Sequence, residues 1–79
     1  MYYVYVLLSK KEHRLYVGST ADVTNRLHLH NSGKVKSTQF YKPWELKRVE
    51  EYATRAEAFR REMFLKTGQQ KEILRNLYC

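Results

Sequence analysis

Several residues in this chain have types and spacings that suit chemistry on a phosphate. Tyr5 and Tyr16 lie in two β-branched and aromatic segments, Tyr2–Leu8 and Leu15–Gly18, separated by the polar turn Lys10–His13. Such a pair of segments reads as an antiparallel hairpin. Side chains alternate along a strand, so Tyr3, Tyr5 and Leu7 share one face and Val4, Val6 and Leu8 the other. Pairing across the turn sets Tyr5 opposite Tyr16, Tyr3 opposite Gly18 and Leu7 opposite Arg14. Two phenols then stand beside a glycine that lets a ligand approach the backbone. Tyrosine is also simply a good strand residue, and cross-strand contact alone would account for the pair.

Arg26 and His30 are four residues apart and share a helical face, with Val23 and Leu27 on a separate apolar stripe. A guanidinium grips a phosphate through two parallel hydrogen bonds, and an imidazole gives or takes a proton. The plainer alternative is two polar groups on a solvated face. Glu62 borders a stripe marked by Phe59 and Met63. A glutamate there is an ordinary surface or ion-pair residue unless it faces the tyrosines and the arginine. If it does, it is a hard oxygen ligand of the kind Mg2+ takes, with several waters retained. Lys34, Lys36 and Lys42, interleaved with Ser37 and Thr38, form a basic loop suited to phosphate contacts. Phe40, Tyr41 and Trp44 offer faces for stacking on unpaired bases, although Trp44 is expected to be at least partly buried.

The elements that must position these groups are legible in outline. Thr20 or Asp22 caps a helix running to about Asn31, which Gly33 ends. The loop Gly33–Pro43 leads to a third strand, Trp44–Tyr52. Thr54 and Glu57 make a capping box for a helix ending at Gly68. A last helix covers roughly Gln69 to Leu77, with Ile73, Leu74 and Leu77 inward. The order β-β-α-β-α-α implies an α+β fold, a small three-stranded antiparallel sheet flanked by helices in one domain over residues 1–79.

Charge and cysteine usage narrow the classes further. Lysine and arginine number 15 against 8 acids, a net charge of +7 that points to a polyanionic partner. Cys79 is the only cysteine, which excludes an internal disulfide and a cysteine-based zinc site. That usage fits a reducing compartment such as the cytoplasm. The apolar run Tyr2–Leu8 is too short to span a bilayer and has no basic segment before it, so neither an anchor nor a signal peptide is expected.

Taken together, these motifs resemble the GIY-YIG endonuclease domain, and most closely its small bacterial single-domain members. The family pairs a G-I-Y strand with a Y-I-G strand. Here Tyr3-Val4-Tyr5 and Tyr16-Val17-Gly18 stand in those places. A helix with a key arginine follows, matched by Arg26 in R-L-H-L-H-N, and a later helix carries the metal-binding glutamate, matched by Glu62 in R-R-E-M-F-L-K. One departure stands out: Tyr3 replaces the first motif's glycine, where, opposite Gly18, it would crowd the cleft.

The resemblance implies metal-dependent hydrolysis of DNA phosphodiester bonds, with RNA as a second substrate class and DNA repair or branch processing as a setting. Glu62 would hold one divalent cation, Mg2+ or Mn2+, that binds the scissile phosphate and the leaving oxygen. Tyr16 would act as, or relay to, the base for the attacking water. A free phenol ionises near pH 10, so a neighbouring cation has to favour the ionised form. Tyr5 would orient water or phosphate, Arg26 would neutralise charge developing on phosphorus, and His30 would be a second base or a positioner. Gly18 would leave room for the backbone approach. Two other readings stay open at this point: a nucleic-acid-binding module with the same fold and little catalysis, and a partner-recruiting protein whose basic face is only solvated.

Overall fold

The first strand explains the rest of the architecture. Residues Val4 through Ser9 are all buried, so apolar side chains leave it on both faces and both must be covered. In the computed structural model, which describes residues 1–79, this strand β1 (Tyr2–Ser9) lies at the centre of a sheet. Antiparallel β2 (Leu15–Thr20) flanks it on one side and antiparallel β3 (Trp44–Tyr52) on the other. Helix α1 (Val23–Asn31) precedes β3, and helices α2 (Arg55–Leu65) and α3 (Gly68–Tyr78) close the chain. No helix is long and apolar enough to cross a membrane.

The expected β-β-α-β-α-α order and three-stranded antiparallel sheet hold. The hairpin register differs. Tyr5 pairs with Gly18, Leu7 with Tyr16 and Tyr3 with Thr20, a slip of two residues from the expected pairing. An even slip preserves which side chains share a face. Tyr3, Tyr5 and Leu7 therefore remain on the face of Tyr16 and Gly18. Tyr3, however, sits out beside Thr20 and Glu51 and does not crowd Gly18.

The two faces carry separate cores. On one, Val4, Val6 and Val17 meet Ala58 and Leu65 of α2 and Leu74 of α3. On the other, Tyr5, Leu7 and Trp44 pack with Tyr16, Leu27 and Tyr41 beneath α1. The inward line of α2 is Ala58 and Leu65, with Arg61 and Glu62 half-buried between them, while Phe59 and Met63 are exposed. The stripe expected from their hydrophobicity thus faces outward, because small Ala58 lets the helix sit close on the sheet. Of the expected inner residues of α3, only Leu74 is buried; Ile73 and Leu77 are exposed.

Local signals set the element ends. Asp22 caps α1 by accepting from the Asn25 amide at 3.0 Å, and Gly33 follows the helix at φ +79°. Thr54 caps α2 by accepting from the Glu57 amide at 3.2 Å, and its hydroxyl donates to the Glu57 carboxylate. Gly68 does not terminate α2: that helix ends at Leu65, and Gly68 is the first residue of α3. Gly18 likewise lies within β2 and does not end it. Helix α2 is tied to β3 by Arg61, whose guanidinium donates to both oxygens of Glu50 at 2.9 and 3.2 Å. Arg61, helped by Tyr52 and Arg48, holds the Glu50 carboxyl below the usual range.

Helix α1 is fastened by polar bonds as well as by the apolar contact of Leu27. Its one fully buried residue is His30. The imidazole Nε2 lies 3.0 Å from the Tyr5 hydroxyl and Nδ1 lies 2.8 Å from Thr38 Oγ1. The Thr38 hydroxyl also reaches the Val35 carbonyl, which only accepts. Counting donors then orders the chain: Tyr5 donates to Nε2, Nδ1–H donates to Thr38, and Thr38 donates to Val35. At the helix end, the Asn31 side chain bonds the amide and carbonyl of Trp44 at 2.6 and 3.1 Å, starting β3 as a neighbouring strand would.

Burial, and then the nearby Arg26 charge, push the His30 imidazole down to about 4. Between that value and the ordinary 6.5, the unfolded chain binds a proton that the folded chain does not. Stability therefore rises with pH through this window and is lost as pH falls from 6.5 towards 4. The loss is about 2–3 kcal/mol. Denaturant unfolding at pH 7 and pH 4.5 should show it, and His30→Gln should remove most of the pH slope; an unchanged slope in the variant would be a contradiction. A Cβ at position 18 would lie 2.5 Å from the Tyr5 hydroxyl oxygen and 2.7 Å from its Cζ. Gly18→Ala should thus displace the Tyr5 ring and cost about 1–3 kcal/mol in a thermal melt.

Candidate functional site

The candidate site forms where α1 crosses the β1–β2 hairpin. Strand alternation turns Tyr5 and Tyr16 to the α1 face, and their ring centroids lie 6.2 Å apart. His30 sits against Tyr16 with centroids at 4.8 Å. One helical turn before His30, the half-buried Arg26 lies beside the phenols of both tyrosines. Gly18 forms the floor, its missing side chain leaving the space that the Tyr5 ring occupies.

The environment separates the roles open to each group. Burial pushes the Tyr5 phenol up to about 12, with Arg26 pulling the other way and Tyr16 and Glu62 adding to the rise. Tyr5 is therefore neutral at ordinary pH, its proton held by His30 and its oxygen lone pairs turned to Arg26. His30 is neutral too, and both its ring nitrogens are already bonded inside the protein. That arrangement suits it to position Tyr5 and leaves it no free nitrogen for a base. His28, on another side of α1, is exposed and plays no part.

Glu62 approaches from the opposite face, around the open edge of β2. Its Oε1 accepts from the Ser19 hydroxyl at 2.6 Å and its Oε2 pairs with Lys66 at 2.8 Å. Lys66 Nζ in turn lies 5.9 Å from the centre of the Tyr16 ring. Through Ser19 and Lys66, Glu62 is tied to the edge strand that carries Tyr16. Ser19 and Lys66 were not singled out in the sequence. Lys66 carried a signal, since it stands four residues after Glu62 on the same helix. Ser19 carried a weaker one, since strand alternation turns it away from Tyr16 towards α2.

The donor set fits a divalent cation of the Mg2+ type in part. No group of three or more His, Cys, Asp or Glu side chains is assembled anywhere in the chain. One carboxylate, a hydroxyl at Ser19 and retained waters are nonetheless enough for a hard cation that also binds a substrate phosphate. Lys66 now balances the Glu62 charge, so a cation would have to compete with that ammonium.

The basic loop divides. Lys34, Lys36, Ser37 and Lys42 are exposed. Thr38 is buried and its hydroxyl is spent on His30, so it is not the phosphate contact its neighbours suggested. Phe40 projects into solvent, whereas Trp44 is buried and donates its indole N–H to the Thr38 carbonyl. Tyr3 lines a separate shallow depression with Ala21–Thr24 and Val49.

Comparison with known proteins bears on the same residues. A UPF0213 protein of Staphylococcus haemolyticus is 36% identical over 75 residues, covering 94% of this chain and 90% of its own. A UPF0213 protein of Bacillus pumilus is 42% identical over 72 residues, covering 90% of this chain and 72% of its own. The solution NMR structure of a UPF0213 protein from Bacillus halodurans matches with a TM-score of 0.57 and 36% identity over 98% of this chain and 85% of that one. The model of the GIY-YIG catalytic domain matches residues 1–76, a span that contains every side chain of the candidate site. The chain therefore belongs to the GIY-YIG family, a family of nucleases acting on nucleic acid.

Proposed function

We propose that this chain is a divalent-metal-dependent endonuclease that hydrolyses DNA phosphodiester bonds. The observation that carries the reading is the cluster of two phenols and one guanidinium over the glycine of β2, with the Glu62 carboxylate bonded to Ser19 of the same strand from the opposite face. Each has a task in such a reaction. A divalent cation, when bound, would supply Lewis-acid stabilisation of the phosphate and the leaving oxygen, with Glu62 and Ser19 as its protein ligands. Arg26 binds the phosphate and offsets the negative charge that grows on its oxygens. Tyr16 accepts, or relays, the proton of the attacking water. Tyr5 stays protonated, and its oxygen orients Arg26 and water. His30 fixes Tyr5 from behind and does not exchange protons with the substrate. Processing of branched or damaged DNA is the setting that fits a basic domain without a row of base-reading side chains.

The Glu62–Lys66 ion pair favours a second reading, a DNA-binding module with little catalysis, because it occupies the one carboxylate available to a cation. Cleavage separates the two. Labelled single-stranded, duplex and branched DNA should be nicked in Mg2+ or Mn2+ and left intact in EDTA. Glu62→Ala and Arg26→Ala should each lower the rate by about 10²–10³-fold while thermal melts show folded protein. Absent nicking by the native protein, with salt-sensitive binding retained, would select the module instead, and nicking that persists in EDTA would overturn the metal dependence.

A further inference from the structure

Beside the phenol site, a groove of about 650 Å³ runs between the free edge of β2 and helix α3. His13, Arg14, Tyr16, Lys66, Lys71 and Arg75 line it, together with apolar side chains, and no carboxylate does. Five of those six carry or can carry positive charge. Tyr16 and Lys66 belong to the candidate site as well, so the groove begins where the site ends. Lys71 and Arg75 are one turn apart on α3 and neither has an ion-pair partner; Arg14 is paired with exposed Glu12 and stacks on the Tyr41 ring at 4.4 Å.

Arg14 and Lys66 are offset by Glu12 and Glu62, which do not line the groove, whereas Lys71 and Arg75 stand there unpaired, an arrangement poor for stability and good for an anion. Neither Lys71 nor Arg75 contributes to the core: both are exposed on a helix whose one buried residue is Leu74. The groove presents cations and no row of amide side chains, which is the chemistry of backbone contact and not of base reading. We infer that this groove holds the phosphodiester backbone of the substrate strand flanking the site, with Lys71 and Arg75 on its phosphates. The basic loop at Lys34 and Lys36 is then a secondary surface. The inference rests on the nuclease reading for the position of the scissile bond, but its own test does not need catalysis.

That test is fluorescence anisotropy of labelled single-stranded and duplex DNA, in EDTA, over a range of salt. Native protein is compared with the Lys71→Ala/Arg75→Ala double variant and with a charge-matched Lys34→Ala/Lys36→Ala variant. Each phosphate contact contributes about 0.7 to the salt slope on a single strand and about 0.9 on a duplex. The groove variant should therefore bind at least tenfold more weakly at low salt, with a slope flatter by about 1.4–1.8. The loop variant should change little. Native affinity and slope in the groove variant, or a larger loss in the loop variant, would overturn the inference and leave the Glu62-dependent cleavage test standing. Absence of DNA binding by the native protein would overturn both.

Discussion

The ring of Tyr5 fills the volume that a side chain at position 18 would need, while His30 grips its hydroxyl from the other side. Much of the molecule is arranged around that contact. It requires glycine in the middle of an edge strand, where glycine otherwise weakens pairing. It requires a buried histidine on α1, and that histidine requires Thr38, so the loop before β3 is fixed by the same chain of bonds. The loop in turn delivers Trp44 to the core and starts β3 against Asn31. No buried side-chain nitrogen or oxygen is left without a partner, so this polar line through an apolar layer is fully satisfied.

The same contact separates two otherwise similar phenols. Tyr5 is enclosed and its pKa is driven upward, which commits it to staying protonated. Tyr16 stands on the edge strand, half-buried, between Arg26 on one face of the sheet and Lys66 on the other. An edge strand is usually an exposed liability. Here the edge is where side chains from opposite faces meet, because Glu62 and Lys66 reach round it from α2. A three-stranded sheet is narrow enough for that to happen beside its central strand.

Much of this was legible in the residues. The caps at Asp22 and Thr54, the left-handed Gly33 and the apolar alternation of β1 follow from local chemistry, so element order and sheet type could be read directly. The pairing register could not, because a slip of two residues keeps every face assignment intact and alternation is blind to it. That slip moved Tyr3 away from Gly18 and brought Tyr5 over it. The inner face of α2 departs from its hydrophobic pattern for a different reason. Phe59 and Met63 are the more hydrophobic pair, yet with so few strands to cover, the sheet accepts the close approach of Ala58 and leaves the larger side chains outside. Thr38 and His30 looked like surface groups, since each is polar and only the tertiary fold supplies the partner that makes burial tolerable.

The central claim is that Glu62, at the edge of β2, is the place where a divalent cation enters this site. The most direct measurement is NMR of isotope-labelled protein titrated with Mn2+, whose unpaired electrons broaden nearby signals. The account predicts selective broadening of the Tyr16, Ser19, Glu62 and Lys66 amides, relieved by excess Mg2+ and absent in Glu62→Gln. Broadening centred instead on Glu50 and Glu51, or unchanged by the substitution, would contradict it.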